Sequence, residues 1–278
     1  FAAQPSDGFA SQAQEPEDDS AEAKADRDRR MKWWREARFG MFVHWGLYSI
    51  PAGEWNGRIW TRGGTEWIQK RGDISADVYA ETLLPKFNPR ADFAAEWAET
   101  AKTAGCRYLV FTSKHHEGFA LHDSKLTTFN TKDTCRRDIF KEIVEAARAE
   151  GLKVGAYHSL IDWHHPEFPV DKIHPQRDDQ AFREATKGRD VRKYAAYMRE
   201  QVRELLTDFG QIEQVSGDLV LARVDAVGHH TKIELPDGRR ARSRRASGGD
   251  RRRDLWPPAR RSRLPAVSRL VRILDLGS

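Results

Sequence analysis

Three short apolar segments of this chain each end in histidine, and this pattern constrains the fold more than any other feature. The segments end at His44, at His115-His116 and at Tyr157-His158. An apolar run of four to eight residues is typical of a strand buried on both faces, as in parallel sheets. In α/β barrels, polar side chains gather at the carboxyl ends of such strands. The pattern therefore predicts an enzyme with these side chains in its active site.

Helical patterns alternate with the predicted strands. Phe93, Trp97 and Ala101 share one helix face ahead of the second strand, and Asp138 is a candidate N-cap ahead of the third. This order predicts repeated βα units, an α/β fold class and a TIM-like (β/α)8 barrel. The predicted strands after the first lie at 107–113 and 153–159. The first two predicted helices begin at 88–89 and at Asp138, and the third spans 190–209 and begins at Asp190.

The barrel predicted from these units is incomplete. The stretch from Gln211 to Val224 is only weakly strand-like, and no helical or strand period continues beyond Arg239. Four strands can therefore be counted, whereas a closed barrel of this type has eight. The long connection from Leu47 to Thr82 is rich in glycine and tryptophan, and a connection of this length is expected to be a functional loop.

Composition divides the chain into three parts. Residues 1–30 contain few large apolar groups and are expected to form a disordered leader. Residues 31–218 form the predicted partial catalytic barrel. Residues 219–278 are expected to be a basic low-complexity tail, either disordered or out of frame. Residues 239–278 hold thirteen arginines and three aspartates, a net charge of +10. Because the whole chain has a net charge of +5, the first 238 residues have a net charge of −5.

The charge and apolar patterns argue against several partner classes. A mildly acidic catalytic part carries no nucleic-acid signal, and no apolar run approaches the roughly 20 residues of a membrane span. Nothing in the sequence places Cys106 close to Cys135, and both are expected to be free thiols. The sequence assigns neither a compartment nor an oligomeric state.

Seven stretches resemble a known enzyme family when they are taken together and in order. They lie between residues 31 and 212 and resemble family 29 of the glycoside hydrolases, the α-L-fucosidases. The matching stretches are Trp34-Arg-Glu-Ala-Arg-Phe-Gly-Met-Phe-Val-His44-Trp-Gly, Glu66-Trp67-Ile, Lys86-Phe-Asn-Pro, Ala101-Lys-Thr-Ala-Gly-Cys-Arg-Tyr, Thr112-Ser-Lys-His115-His116-Glu-Gly-Phe-Ala, Glu150-Gly-Leu-Lys-Val-Gly-Ala-Tyr157-His-Ser and Asp162-Trp-His.

The resemblance implies retaining hydrolysis of terminal α-L-fucosyl residues from glycans or glycoconjugates, without metal or organic cofactor. A deoxyhexose offers three hydroxyls to imidazole and carboxylate groups and one methyl to an apolar wall, which agrees with these residue types. Fucosylated glycans are the expected partners; neither nucleic acid nor membrane is expected. The resemblance places six residues in the fucose pocket: His44, Glu66, Trp67, His115, His116 and Tyr157.

The resemblance also places the catalytic nucleophile at Asp218, the residue expected to end the fourth strand. The preceding residues, Val215-Ser216-Gly217, depart from the apolar aromatic strand of the family's motif. No acid/base residue is assigned, because Glu234 is the only glutamate beyond Asp218 and its surroundings match no motif. The loss of resemblance near residue 212 is expected to reflect a shifted reading frame or gene end, and a chain ending in this way is expected to be inactive or nearly so.

Three other interpretations remain open on sequence alone. A metal-dependent barrel hydrolase would use His44, His115, His116 and Asp162, although the His-x-His typical of those barrels is absent after the first strand. A catalytically inactive sugar-binding remnant would keep the pocket without turnover. A nucleic-acid binder would use the arginine-rich tail. Asp162-Trp163 is expected to fix a turn, and the neighbouring His158, His164 and His165 are expected to lie in solvent or loops.

Overall fold

The structure, a computed structural model, describes residues 20–60 and 64–217. The described residues up to Phe39 and those from Gly40 onward form separate compact units. The first unit contains the helix α1, Ala21–Ala37. Within the described part of the chain, no helix combines the length and the apolar character that a membrane crossing requires.

The second unit is built on a four-stranded parallel sheet with the strand order β1-β4-β5-β6. All the connections between neighbouring strands are crossovers, so the carboxyl ends of the strands lie at one edge. The sheet confirms the predicted α/β class and the four strands predicted from the sequence. The strands are β1 Gly40–Val43, β4 Tyr108–Lys114, β5 Lys153–His158 and β6 Gln214–Ser216, and a separate antiparallel pair consists of β2 Glu54–Trp55 and β3 Arg58–Ile59.

Helices occupy the connections between the strands, as the periodicity predicts. The Asp138 side chain accepts a hydrogen bond from the Lys141 N–H at 2.9 Å, which confirms it as an N-cap, and Asp190 caps the last helix in the same way. Helices α4 and α6 pack on each other and on β4. The helices are α2 Ile68–Arg71, α3 Ala76–Leu83, α4 Phe93–Thr103, α5 Thr131–Cys135, α6 Ile139–Ala149, α7 Gln180–Ala185 and α8 Val191–Thr207.

Two apolar clusters stabilise the second unit. The larger one fills the space between the sheet and helices α4 and α6, with Phe111, Phe140 and Ile143 fully buried. The smaller one joins the segment after β5 to α8 through Trp163, Phe168 and Tyr194. Burying a large apolar side chain contributes about 1.5–3 kcal/mol, so both clusters stabilise the elements that carry the polar strand ends.

Two sequence predictions differ from the structure. The predicted leader, residues 1–30, overlaps α1, which begins at Ala21 because its alanines favour helix and Asp26 forms ion pairs with Arg29 and Arg30 one turn away. The connection predicted as a long loop from Leu47 contains β2, β3, α2 and α3. Cys106 and Cys135 are both free, as expected. The predicted tail, 219–278, lies outside the described residues.

Candidate functional site

The aromatic rings at the ends of β1, β4 and β5 converge. The ring centroids of His44 and His115 are 5.6 Å apart, and the Tyr157 ring lies 5.3 Å from His44 and 5.2 Å from His115. These strands are neighbours in parallel register, with Val43 opposite Phe111 and Thr112 opposite Tyr157. The structure therefore brings together three of the predicted site residues from three separate strands.

His116 faces a different set of rings from its neighbour. Its ring lies 4.7 Å from the Trp67 ring and 4.0 Å from the Trp163 ring, while His115 meets it edge-on at 4.2 Å. His116 is 1% exposed, and neither of its ring nitrogens has a hydrogen-bond partner within the described residues. A buried polar group without a partner costs about 1–3 kcal/mol. The two indoles therefore enclose an imidazole whose nitrogens have no hydrogen-bond partner within the described part of the chain.

Burial keeps these imidazoles neutral. Burial, and secondarily the neighbouring His44, lowers the pKa of His115 to about 3. Burial also lowers the pKa of His116 well below its ordinary value, and that of His44 to a smaller extent. At neutral pH each ring then carries one N–H donor and one acceptor nitrogen, the combination that matches a hydroxyl group.

Glu66 supplies a negative charge on the His44 side of this site. It lies half-buried in the 3-10 turn Thr65–Trp67, and its carboxylate favours the charged form of His44, opposing the effect of burial on the His44 pKa. Trp67, from the same turn, contacts His116. The short turn thus presents a carboxylate and an indole to two histidines that come from different strands.

Sequence reasoning missed Phe42, which lies beside His44. Its ring is 48% exposed and lies 4.2 Å from the His44 ring and 5.5 Å from the Tyr157 ring. Residues two apart in a strand point to the same face, so the period-two alternation could have identified it. Phe42 adds an exposed apolar surface next to the polar rings.

A buried ion pair connects β4 to the segment after β5. Lys114 Nζ lies 3.1 Å from Asp162 Oδ2, and neither side chain is more than 2% exposed. The other carboxylate oxygen, Oδ1, accepts the backbone N–H groups of His164 and His165 at 3.2 and 2.9 Å. The predicted turn-forming role of Asp162 is confirmed. The ion pair that fixes this turn to β4 was not predicted.

His158 is not in solvent, contrary to the prediction. It is 2% exposed, and its Nδ1 lies 3.0 Å from the Ser113 hydroxyl oxygen. The Ser113 hydroxyl donates to the Tyr157 carbonyl at 2.9 Å, so its oxygen is left to accept from Nδ1–H. His158 lies at the last position of a strand that is covered on both faces. An apolar strand buried in this way leaves its terminal side chain inside the protein.

Two further sequence predictions concern the nucleophile Asp218 and a metal site. Asp218, the predicted nucleophile, lies outside the described residues; β6 ends at Ser216, which pairs with Tyr157. Among the described residues, no group of three or more His, Cys, Asp or Glu side chains could hold a metal ion.

Comparison with known proteins agrees with the motifs. A family model described as Alpha-L-fucosidase matches residues 6–237, a longer span than residues 31–212 that carry the motifs. Among curated proteins, the human tissue α-L-fucosidase is 37% identical over 146 residues, which cover 50% of this chain and 31% of the relative. The human plasma α-L-fucosidase is 37% identical over 150 residues, 50% of this chain and 32% of the relative. The chain spans about a third of the length of these relatives.

Solved structures give the same result. An α-L-fucosidase isoenzyme from Paenibacillus thiaminolyticus matches with a TM-score of 0.62 and 43% identity over 69% of this chain and 43% of that chain. An α-L-fucosidase from Bacteroides thetaiotaomicron, solved as a trapped covalent intermediate with 2-fluoro-fucosyl fluoride, matches with a TM-score of 0.60 and 34% identity, covering 69% of this chain and 41% of that one. The family model covers well over half of the sequence, and the chain therefore belongs to the α-L-fucosidase family.

Proposed function

We propose that the rings and carboxylate at this strand edge bind an L-fucosyl residue at the non-reducing end of a glycan. The convergence of His44, His115 and Tyr157 within 5.6 Å of one another carries this proposal. The neutral imidazoles, His116 included, and the Glu66 carboxylate would bind the sugar hydroxyls. The exposed ring of Phe42 and the indole of Trp67 would contact the methyl group and a ring face.

We further propose that the four-stranded sheet is half of a (β/α)8 barrel. The strands are parallel, adjacent strands in the sheet follow chain order, and helices or longer segments connect them. In such barrels the site lies at the carboxyl ends of the strands, where the histidines lie in this chain.

The reaction proposed for the site is retaining hydrolysis through a covalent glycosyl-enzyme. Retaining enzymes use two carboxyl groups about 5–5.5 Å apart, one as nucleophile and one as acid/base. The trapped intermediate of the Bacteroides relative supports this stereochemical course. In this chain Asp218 is the proposed nucleophile, and no acid/base residue is assigned. The residues between β1 and β5 would hold the sugar while the reacting carbon faces the end of β6.

Two measurements test the proposal on the purified 278-residue chain. Isothermal titration with L-fucose, compared with L-galactose, tests recognition of the methyl group; saturable binding that favours L-fucose is expected, and equal or absent binding of both sugars would overturn it. Release of 4-nitrophenol from 4-nitrophenyl α-L-fucoside tests turnover. Binding with turnover abolished by Asp218→Asn would support the nucleophile. Binding without turnover would favour a sugar-binding role for this chain.

A further inference from the structure

We propose that Glu117 is a positioning residue of this site: its carboxylate holds the turn after β1 and thereby fixes the position of His44 and Tyr48 relative to His115. The expected consequence for sugar affinity rests on the proposed function. The positioning itself can be tested independently of any sugar.

The carboxylate is buried among neutral donors. Glu117 is 2% exposed and lies directly after His115-His116. Its Oε1 accepts the Leu47 backbone N–H at 2.7 Å, and its Oε2 accepts the Tyr79 hydroxyl at 2.8 Å. The Tyr48 backbone N–H also donates to the carboxylate. Within the described residues, Glu117 forms no ion pair with a lysine or an arginine.

These contacts replace the cap that the turn lacks locally. Leu47–Ser49 form a 3-10 turn whose N-cap residue, Gly46, provides no side-chain hydrogen bond. A carboxylate 70 residues away in sequence satisfies the turn's first amides instead. Gly46 leaves the necessary space, because a Cβ at this position would lie 2.1 Å from Glu117 Oε1.

The turn held in this way carries the Tyr48 ring and follows closely after His44. Tyr48 meets the His115 ring edge-on at 5.3 Å, and His44 lies three residues before Leu47 on the same segment. Glu117 is attached through the backbone to the other side of that contact, two residues after His115. One carboxylate therefore connects the segment that follows β1 to the segment that follows β4.

The titration of the Glu117 carboxylate gives a signal by which its contact with the turn can be followed. Burial raises the pKa of Glu117 to about 7, although its hydrogen bonds with Tyr79, Leu47 and Tyr48 oppose the rise. The titratable side chains near it are the Tyr79 phenol from α3, the Tyr48 phenol of the turn and the His115 imidazole two residues earlier in the chain. Burial raises the pKa of the Tyr79 phenol well above its ordinary value, and the pKa of His115 is about 3.

Two substitutions separate the hydrogen bonds from the charge. Glu117→Leu has a similar shape but accepts no hydrogen bond, so the turn amides lose their partner. Glu117→Gln keeps one carbonyl oxygen for those amides and donates its amide N–H to the Tyr79 hydroxyl, so geometry is kept while the charge is lost. Glu99→Leu, an exposed change in α4, is the matched control.

Nuclear magnetic resonance of the whole chain decides the proposal. We expect the Leu47 and Tyr48 amide protons to shift with a midpoint well above pH 4.5 in the parent protein and to be flat in Glu117→Gln. The Tyr48–His115 ring Overhauser contact should persist in Glu117→Gln and Glu99→Leu and disappear in Glu117→Leu. Amide shifts that are flat in the parent, or unchanged by Glu117→Gln, would overturn the proposal even if Glu117→Leu fails to fold.

Titration with L-fucose then measures the consequence for the site. Affinity should fall about tenfold or more in Glu117→Leu and stay within about threefold of the parent in Glu117→Gln. If a folded Glu117→Leu variant bound L-fucose with the same affinity as the parent, the position of the turn would not determine sugar binding. If the parent binds no L-fucose while the amide and ring signals behave as expected, the proposed function fails and the positioning role stands.

Discussion

His44 and His115 directly follow two adjacent parallel strands, and their ring centroids are 5.6 Å apart although 71 positions separate them in the sequence. His44 is exposed on one side, whereas His115 is 4% exposed. The pair therefore combines one accessible imidazole with one desolvated imidazole. Substitutions at the two positions have different expected effects.

His44→Phe is expected to weaken L-fucose binding about tenfold or more without unfolding the protein. An exposed phenyl ring retains the contact with Phe42 but offers no hydrogen bond to a hydroxyl. Isothermal titration gives the affinity, and urea denaturation gives the stability. Lys141→Met, an exposed change in α6, serves as the control. Unchanged affinity in His44→Phe would remove His44 from the proposed pocket.

Acid is expected to destabilise the protein partly through His115. The unfolded chain protonates this histidine near 6.5, whereas the folded protein does so near 3, so stability present above pH 6.5 is lost as the pH falls. Between pH 7 and pH 5 this amounts to about 2 kcal/mol. Glu117 acts in the opposite direction, because its folded pKa of about 7 lies above 4.5 and its stabilising contribution is lost as the pH rises.

The His115→Asn variant isolates this effect. Urea denaturation at pH 7 and pH 5 should show that the variant loses less stability on acidification than the parent protein. An equal loss in both proteins would mean that His115 titrates normally in the folded state.

Breaking the buried ion pair should be strongly destabilising. Lys114→Met leaves the Asp162 carboxylate buried without its counter-ion, and such losses are about 3–5 kcal/mol. Adding Asp162→Asn should recover part of the loss, since the asparagine oxygen still accepts the amides of the turn. Urea denaturation of both variants, with Lys141→Met again as control, measures the effect. A double variant no more stable than Lys114→Met would show that the charge is not the cause.

Two glycines with similar φ angles should respond differently to alanine. Gly105 has φ +84 with open space around it, and Gly118 has φ +87 with a Cβ position 2.3 Å from Asp162 Oδ1. Gly105→Ala should cost about 1–2 kcal/mol from backbone strain alone. Gly118→Ala should cost more, because it adds a clash with the carboxylate that fixes the turn. Equal thermal unfolding midpoints for the two variants would contradict this.

Apolar periodicity predicted helices α4, α6 and α8 and the strands of the parallel sheet, because these elements bury one face or two; it missed the short helices and the β2–β3 pair, which bury less. The caps at Asp138 and Asp190 and the end of α6 before Gly151 follow from local chemistry. The roles of Lys114 and Glu117 could not be predicted, because each depends on a partner far away in the sequence. His158 was placed in solvent because composition does not show how deeply a strand end is covered. The site residues remain predictions in their roles, although their convergence is a structural result.

The pairing of β4 with β5 is irregular between Thr112 and Lys114. Directly after this irregularity, His115 faces His44 and Tyr157, while His116 faces the two indoles. Adjacent residues of an extended segment face opposite sides, so each imidazole owes its surroundings to its position in the chain rather than to its identity. Deleting a single codon in β4 would move His116 into the place that faces His44 and Tyr157 and Glu117 into the place beside the indoles, so the site would lose one imidazole and gain a carboxylate.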